Sequence, residues 1–303
     1  MTQLYWQVYL NLERELLALA DTIYIDDKQQ EVYSMRIADL LIRTVIEIEA
    51  LAKELYLNNG GVVVPNDEMY FDTVCMAYLD GLWKLDKKVV QVVSPNIYLE
   101  KNENKILYPL HKASKRGTSS ADWNKAYQAV KHNRVKELSK GSLKNLLHGL
   151  AALYVLNLYY KDERIEGLQA NDKSKVDRSF GSKLFAVKIH GVNSLKSDGT
   201  YTKSADYDES VYIEDHEPNS KKTVLEVIAK LKEYERTATI AEIEKLAKEK
   251  LSRGEHITQE WVNSIKPNIT SKIFPIKDYK LAKQINDGLG QLRFDIVLNK
   301  QQY

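Results

Sequence analysis

Apolar positions along this chain follow a helical period up to about residue 165 and an alternating one for a stretch beyond it. Tyr5, Val8, Leu12, Leu16 and Leu19 recur every three or four residues and predict an opening helix over residues 4–20. The next stripe is Ile37, Leu41, Thr44, Ile48, Leu51 and Leu55. It runs along "EVYSMRIADLLIRTVIEIEALAKELYL" with no Pro or Gly before Gly60, which predicts a helix ~40 Å long. Asp26 and Asp27 are the expected caps of that helix, with Glu31 in its first turn. "NNGGVVVPND" ends the pattern, and a third helix is expected over residues 68–90. Residues 94–118 hold Pro95, Pro109 and "SKRGTSS" and read as a long loop of the kind that often carries function. Ser119 to Asp122 has the capping-box form S-x-x-D and predicts a helix start just ahead of Trp123. Gly141-Ser142 restarts the chain into "LKNLLHGLAALYVLNLYY", apolar enough to be the most buried helix.

Past residue 165, "KLFAVKIHG" alternates Phe185, Val187 and Ile189, and "ESVYIED" does the same with Val211 and Ile213. Two strands joined by a polar, turn-rich loop predict a β-hairpin. Helices return from Lys221, first with Val224, Val227, Ile228, Leu231 and Tyr234, then from a second capping box at Thr239 to Glu242. Thr258 is the expected cap of "QEWVNSI". The predicted class is therefore mainly α: an up-and-down helical bundle over residues 1–165, a small β-hairpin and loop insert over 166–220, and a C-terminal helical region over 221–303.

Composition narrows the function. At 303 residues, 44% apolar and 28% charged, the chain is an ordinary globular one, with no apolar run near the ~20 residues of a membrane helix. The opening "MTQLYWQVYLNLERELL" lacks the basic-then-apolar order of a signal peptide. The single cysteine, Cys75, excludes an internal disulfide and sits in the apolar "FDTVCMAYL", where it should simply pack. A cytoplasmic location is expected. There is no P-loop, no G-x-G-x-x-G, no G-x-S-x-G and no clustered His or Cys spacing, so neither a cofactor nor a metal site is expected. Glu47 and Glu49 fall on different helix faces and read as solvated.

Charge is concentrated. Net charge is only +2, yet residues 111–144 hold nine Lys or Arg against Asp122 and Glu137, a field that attracts polyanions. Within it lies "DWNKAYQAVKHNRVKEL". On a helix, Trp123, Tyr127 and Val130 share a packing face, while Lys125, Gln128 and His132 fall on an adjacent polar stripe flanked by Lys131 and Arg134. A histidine at such an edge can move protons near neutral pH, and neighbouring cations can hold a phosphodiester and its transition state. RNA brings its own 2′-hydroxyl nucleophile, so cleavage of it needs no metal. His132, Arg134 and Lys125 are the candidate catalytic residues. Lys131, Gln128, Lys112, Lys115, Arg116 and Lys136 are the candidate RNA-binding ones.

The order of a long "YSMRIADLLIRTVIEIEALAKEL" helix, a distant "WNKAYQAVKHNR" and an apolar "LKNLLHGLAALYVLNLYY" helix resembles the HEPN (higher eukaryotes and prokaryotes nucleotide-binding) superfamily, in its bacterial defence-associated branch. The resemblance covers residues 1–165. It implies a four- to five-helix bundle, homodimerisation, metal-independent endoribonuclease activity at the dimer interface in active members, and a regulatory or antitoxin-like protein partner. The signature of those members is Arg, four to six residues, then His; in this chain Lys125 stands at that spacing before His132. An RNA-directed effector of phage defence, endoribonuclease or RNA-binding protein, is thus the leading expectation. The alternative is a noncatalytic dimeric module whose basic segment binds an acidic protein.

Overall fold

The computed structural model describes residues 4–63, 65, 68–192 and 195–303; parts of both predicted breaks, at 58–67 and 192–208, lie outside them. The molecule is mainly α. Helix α1 spans Leu4–Ala20, and β1 is the short Ile25–Asp26. Helix α2, Met35–Asn58, starts at Ser34, whose hydroxyl oxygen accepts from the Ile37 amide at 3.2 Å. Asp26 and Asp27 therefore do not cap α2. Asp26 closes its own turn onto the amides of Lys28 and Gln29, and Asp27 reaches across to those of Glu100 and Lys101.

The expected third helix divides into a π-helical turn, Phe71–Met76, and α3, Ala77–Trp83. Residues 94–118 are not a bare loop. Beyond β2 (Val90–Val92) they carry β3 (Ile97–Tyr98), the single-turn α4 (Asn102–Lys105), β4 (Ile106–Leu107) and the start of a 3-10 turn at Gly117. Helix α5 spans Asp122–Glu137 and α6 spans Leu143–Lys161, capped by Ser142. Helices α1, α2, α5 and α6 pack on one another. The stripe facing inward from α2 and the nearly all-apolar α6 form the core, with Trp123, Tyr127 and Val130 of α5 at 1% exposure or less.

The strands correct the hairpin. β5 spans Ile165–Gln169, β6 Phe185–Val187, β7 Ile189–His190 and β8 Tyr212–His216. β6 joins β2 and β4 in an antiparallel sheet, whereas β7 and β8 pair in parallel. The connection over 191–211 is longer than the dozen or so residues a parallel crossover needs, so it returns the chain to the starting end instead of folding it back. The C-terminal region holds α7 (Pro218–Ser252), α8 (Gln259–Ile273, capped by Thr258) and α9 (Tyr279–Gly290), but it ends in a strand. β9, Arg293–Leu298, lies between β5 and β8 and pairs antiparallel with both. The capping box at Thr239 is not used: "KLKEYERTATIAEIEK" has no breaker, and α7 runs through it unbroken. Among the described residues no helix is long and apolar enough to cross a membrane.

Candidate functional site

The start of α5 is set by its neighbours more than by its own cap. Ala121 occupies the cap position and offers no side-chain acceptor, so the Ser119 capping box is not formed. Ser120 Oγ instead accepts from the side-chain Nδ2 of Asn124 at 2.7 Å. Trp123 anchors the first turn through its indole N–H, which donates to the Pro109 carbonyl at 2.8 Å. With the apolar face of α5 fixed against α2, the adjoining stripe has one place to go. Lys125, Gln128 and His132 line a cavity of about 730 Å³ between α2, α5, the π-helical turn and the loop carrying Arg116. That volume lies inside the range typical of small-molecule sites, roughly 300–1,000 Å³.

The floor and rim of the cavity differ in chemistry. Asp72, Asn124 and Ser120 are buried, as are Met69 and Phe71. Glu49, Lys53 and Gln128 are half-buried, and Arg116, Lys125 and His132 are exposed at the mouth. Glu49 is not the solvated carboxylate expected from its helix face. Burial raises its pKa, against the pull of Lys131 and Lys53. The side-chain Oδ1 of Asn124 is buried and meets no donor among the described residues.

Arg116 is held from two sides. Its Nε donates to Asp72 Oδ2 at 3.3 Å, and its guanidinium lies over the Tyr70 ring, 3.7 Å from the centroid. Among the described residues no acceptor meets its two Nη atoms, which leaves the forked end of the guanidinium available to an oxyanion. Arg134 is placed quite differently. Asn133 leaves helical geometry (φ −147°, ψ 66°), and beyond that kink Arg134 turns to Asp39 of α2 at 2.8 Å, outside the cavity. Lys131 also lies outside the lining, with its Nζ donating to Tyr127 Oη at 3.1 Å. Lys125 lines the cavity but also pairs with Asp122 at 2.6 Å.

The remaining expected cations spread over neighbouring surface. Lys112, Lys144, His111 and His148 line a second cavity of about 230 Å³, which shares Ser120 with the first. Lys125, Lys140 and Lys144 line a third, so the three hollows adjoin around the N-terminal half of α5. Burial, with Lys144 nearby, lowers the His148 pKa to about 4, which keeps its ring neutral. Lys115 and Lys136 are exposed and line none of these three. Cys75 is buried, and burial pushes its thiol up to about 11, which suits packing rather than nucleophilic chemistry.

Of the expected residues, His132, Lys125, Gln128 and Arg116 thus share one cavity. Asp72, Glu49, Lys53, Asn124 and Tyr70 complete it without having been expected. The arginine that shares the cavity with His132 comes from sixteen residues upstream, beyond the reach of any local spacing rule. Comparison with family models, curated proteins and solved structures finds no match for this chain.

Proposed function

We propose that this protein is an RNA-directed effector, an endoribonuclease that works without a metal, and that the cavity between α2 and α5 is where RNA is held. The observation that carries the reading is the convergence of Arg116, Lys125, Gln128 and His132 on one nucleotide-sized hollow with the cations and the imidazole at its mouth. In this reading the Arg116 fork and Lys125 neutralise a phosphodiester. His132 takes the 2′-hydroxyl proton or protonates the departing 5′-oxygen, and the 2′-oxygen attacks the adjacent phosphorus. The products are a 2′,3′-cyclic phosphate and a 5′-hydroxyl end. The resemblance of residues 1–165 to the HEPN superfamily, read from the sequence, is what supports a role in phage defence, with a regulatory protein partner and a homodimer. Leu4, Met35 and Ile46, apolar and 68%, 52% and 48% exposed, offer surface for that pairing.

The test is incubation of purified protein with ribo-oligonucleotides in EDTA, with an all-deoxy strand as control. His132→Ala should lower the rate by ~10²–10⁴ while leaving RNA binding in place. Arg116→Lys should cost activity because it discards the bidentate donor. Arg134→Ala should not, since Arg134 serves an exposed pair worth roughly 0–1 kcal/mol of stability. Cleavage unaffected by His132→Ala, or abolished by EDTA, rejects the mechanism. An inactive protein that binds RNA no better than an acidic protein is instead the noncatalytic module.

A further inference from the structure

Resting on that reading, we infer that the same cavity is a base-selective subsite, and that it takes a nucleobase bearing an exocyclic amino group (adenine, cytosine or guanine) in preference to uracil. The hollow changes polarity from floor to mouth. At the mouth stand cations and the imidazole: Arg116, Lys125 and His132 are exposed. On the floor stand acceptors. The Asn124 side chain is 3% exposed, its Nδ2 donates to Ser120 Oγ, and its buried Oδ1 meets no donor among the described residues. Asp72, 4% exposed, accepts the backbone amide of Thr73 at 2.7 Å and the Thr73 hydroxyl at 3.4 Å on Oδ1, and Arg116 Nε at 3.3 Å on Oδ2. A carboxylate has about four lone-pair positions, so one remains, on the oxygen that meets Arg116.

A buried acceptor without a donor is rare in folded proteins, and a ligand group is one way to supply the partner. The ligand that suits this arrangement carries an anion at one end and hydrogen-bond donors at the other, with a flat apolar body between, for which the buried Phe71 and Met69 supply apolar wall. A nucleotide with its phosphate at Arg116 and its base inward has that order. An amino group offers two donors to the floor. Uracil offers one N–H between two carbonyl oxygens and would set at least one of those oxygens against Asp72 or Asn124. The half-buried Glu49, whose pKa burial raises, adds a further group at mid-depth that can accept or donate according to its protonation.

The experiment is calorimetric titration of the full-length protein with the 5′-monophosphates of adenosine, cytidine, guanosine and uridine, beside fluorescence titrations with oligo-uridine and oligo-adenosine ribonucleotides. The wild-type protein should bind at least one amino-bearing nucleotide tighter than the uridine nucleotide by about ten-fold or more, the order expected for one unpaired buried polar group. Asn124→Ala should bring the favoured nucleotides down to the level of the uridine one. Should that variant fold poorly, the wild-type series decides alone. Equal affinity for all four, or no mononucleotide binding while both oligonucleotides bind alike, overturns the base subsite and leaves the RNA reading standing. No binding of either mononucleotides or oligonucleotides removes both.

Discussion

Lys88 shows how much a single buried group can tell about this fold. It is fully buried, yet its ammonium donates to the carbonyl oxygens of Asp208 and Ser210 at 3.0 and 2.9 Å, joining the end of the bundle to the approach of β8. Burial, partly opposed by Asp208, depresses its pKa to about 7. Below about pH 7 the lysine is charged in both folded and unfolded chains, and the cost of burying that charge is fully present. From there up to roughly 10.4, its pKa when unfolded, the unfolded chain holds a proton that the folded chain has released, so stability rises with pH. The gain across the window is on the order of a few kcal/mol. Above about pH 9 the raised thiol of Cys75 works in the opposite direction, so the slope is best read between about pH 7 and 9. Urea unfolding of the wild type should show the rise there, and Lys88→Met should flatten it. A wild-type profile already flat would mean that Lys88 keeps an ordinary pKa.

Among the elements, the short link between α5 and α6 lies tight against rigid backbone. A Cβ on Gly141 would sit 2.7 Å from the Ala38 side chain and 3.0 Å from its Cα, which is rigid α2 backbone. Gly141→Ala should therefore push the link off α2, with Ser142, the cap of α6, beside it, and destabilise the protein by about 1–3 kcal/mol in denaturant unfolding. Loss of less than about 0.5 kcal/mol would show that the link moves freely. Elements of this kind were legible in the sequence where the signal was periodic. The stripes of α2, α5 and α6 could be read from spacing alone, and so could the shared direction of Lys125, Gln128 and His132, because 3.6 residues per turn is a local rule. Caps were half legible. Thr258 acts as expected, and Ser142 proves to cap the helix that restarts there, but Asp26, Ser119 and Thr239 do not. A capping motif works only where the chain actually enters a helix, and tertiary contacts decide that. Arg116, Asp72 and Glu49 could not be placed together at all. They lie on a loop, a π-helical turn and a helix far apart in sequence, and their meeting depends on how those pieces pack.

At the scale of the whole molecule, three successive regions of sequence do not become three separate layers. β6 leaves the insert to pair with β2, and β9 arrives from the C-terminus to pair with β5 and β8, so the first sheet crosses the boundary at 165 and the second that at 220. Polar contacts strengthen the weave. Glu13 of α1, 2% exposed, accepts from Tyr9 Oη at 2.8 Å, Ser182 Oγ at 2.7 Å and the Lys183 amide. Tyr159 of α6 donates to the backbone carbonyl of Asn299 at 2.8 Å, and Asn299 Nδ2 donates to the carbonyls of Tyr207 and Ser210. The C-terminal strand is thus a structural member of the sheet and of the bundle beneath it. Deleting residues 292–303 removes the buried Phe294, Ile296 and Leu298, each worth roughly 1.5–3 kcal/mol, and leaves β5 and β8 without their shared neighbour. Since a folded domain is stable by only about 5–15 kcal/mol in total, that loss is of the same order as the whole. The shortened chain should lose its cooperative thermal transition, read by near-ultraviolet circular dichroism, and should expose amides of α6 near Tyr159 to hydrogen exchange as well as those of the sheet. A transition kept within a few degrees of the full-length protein, with α6 still protected, would show that bundle and sheet fold independently.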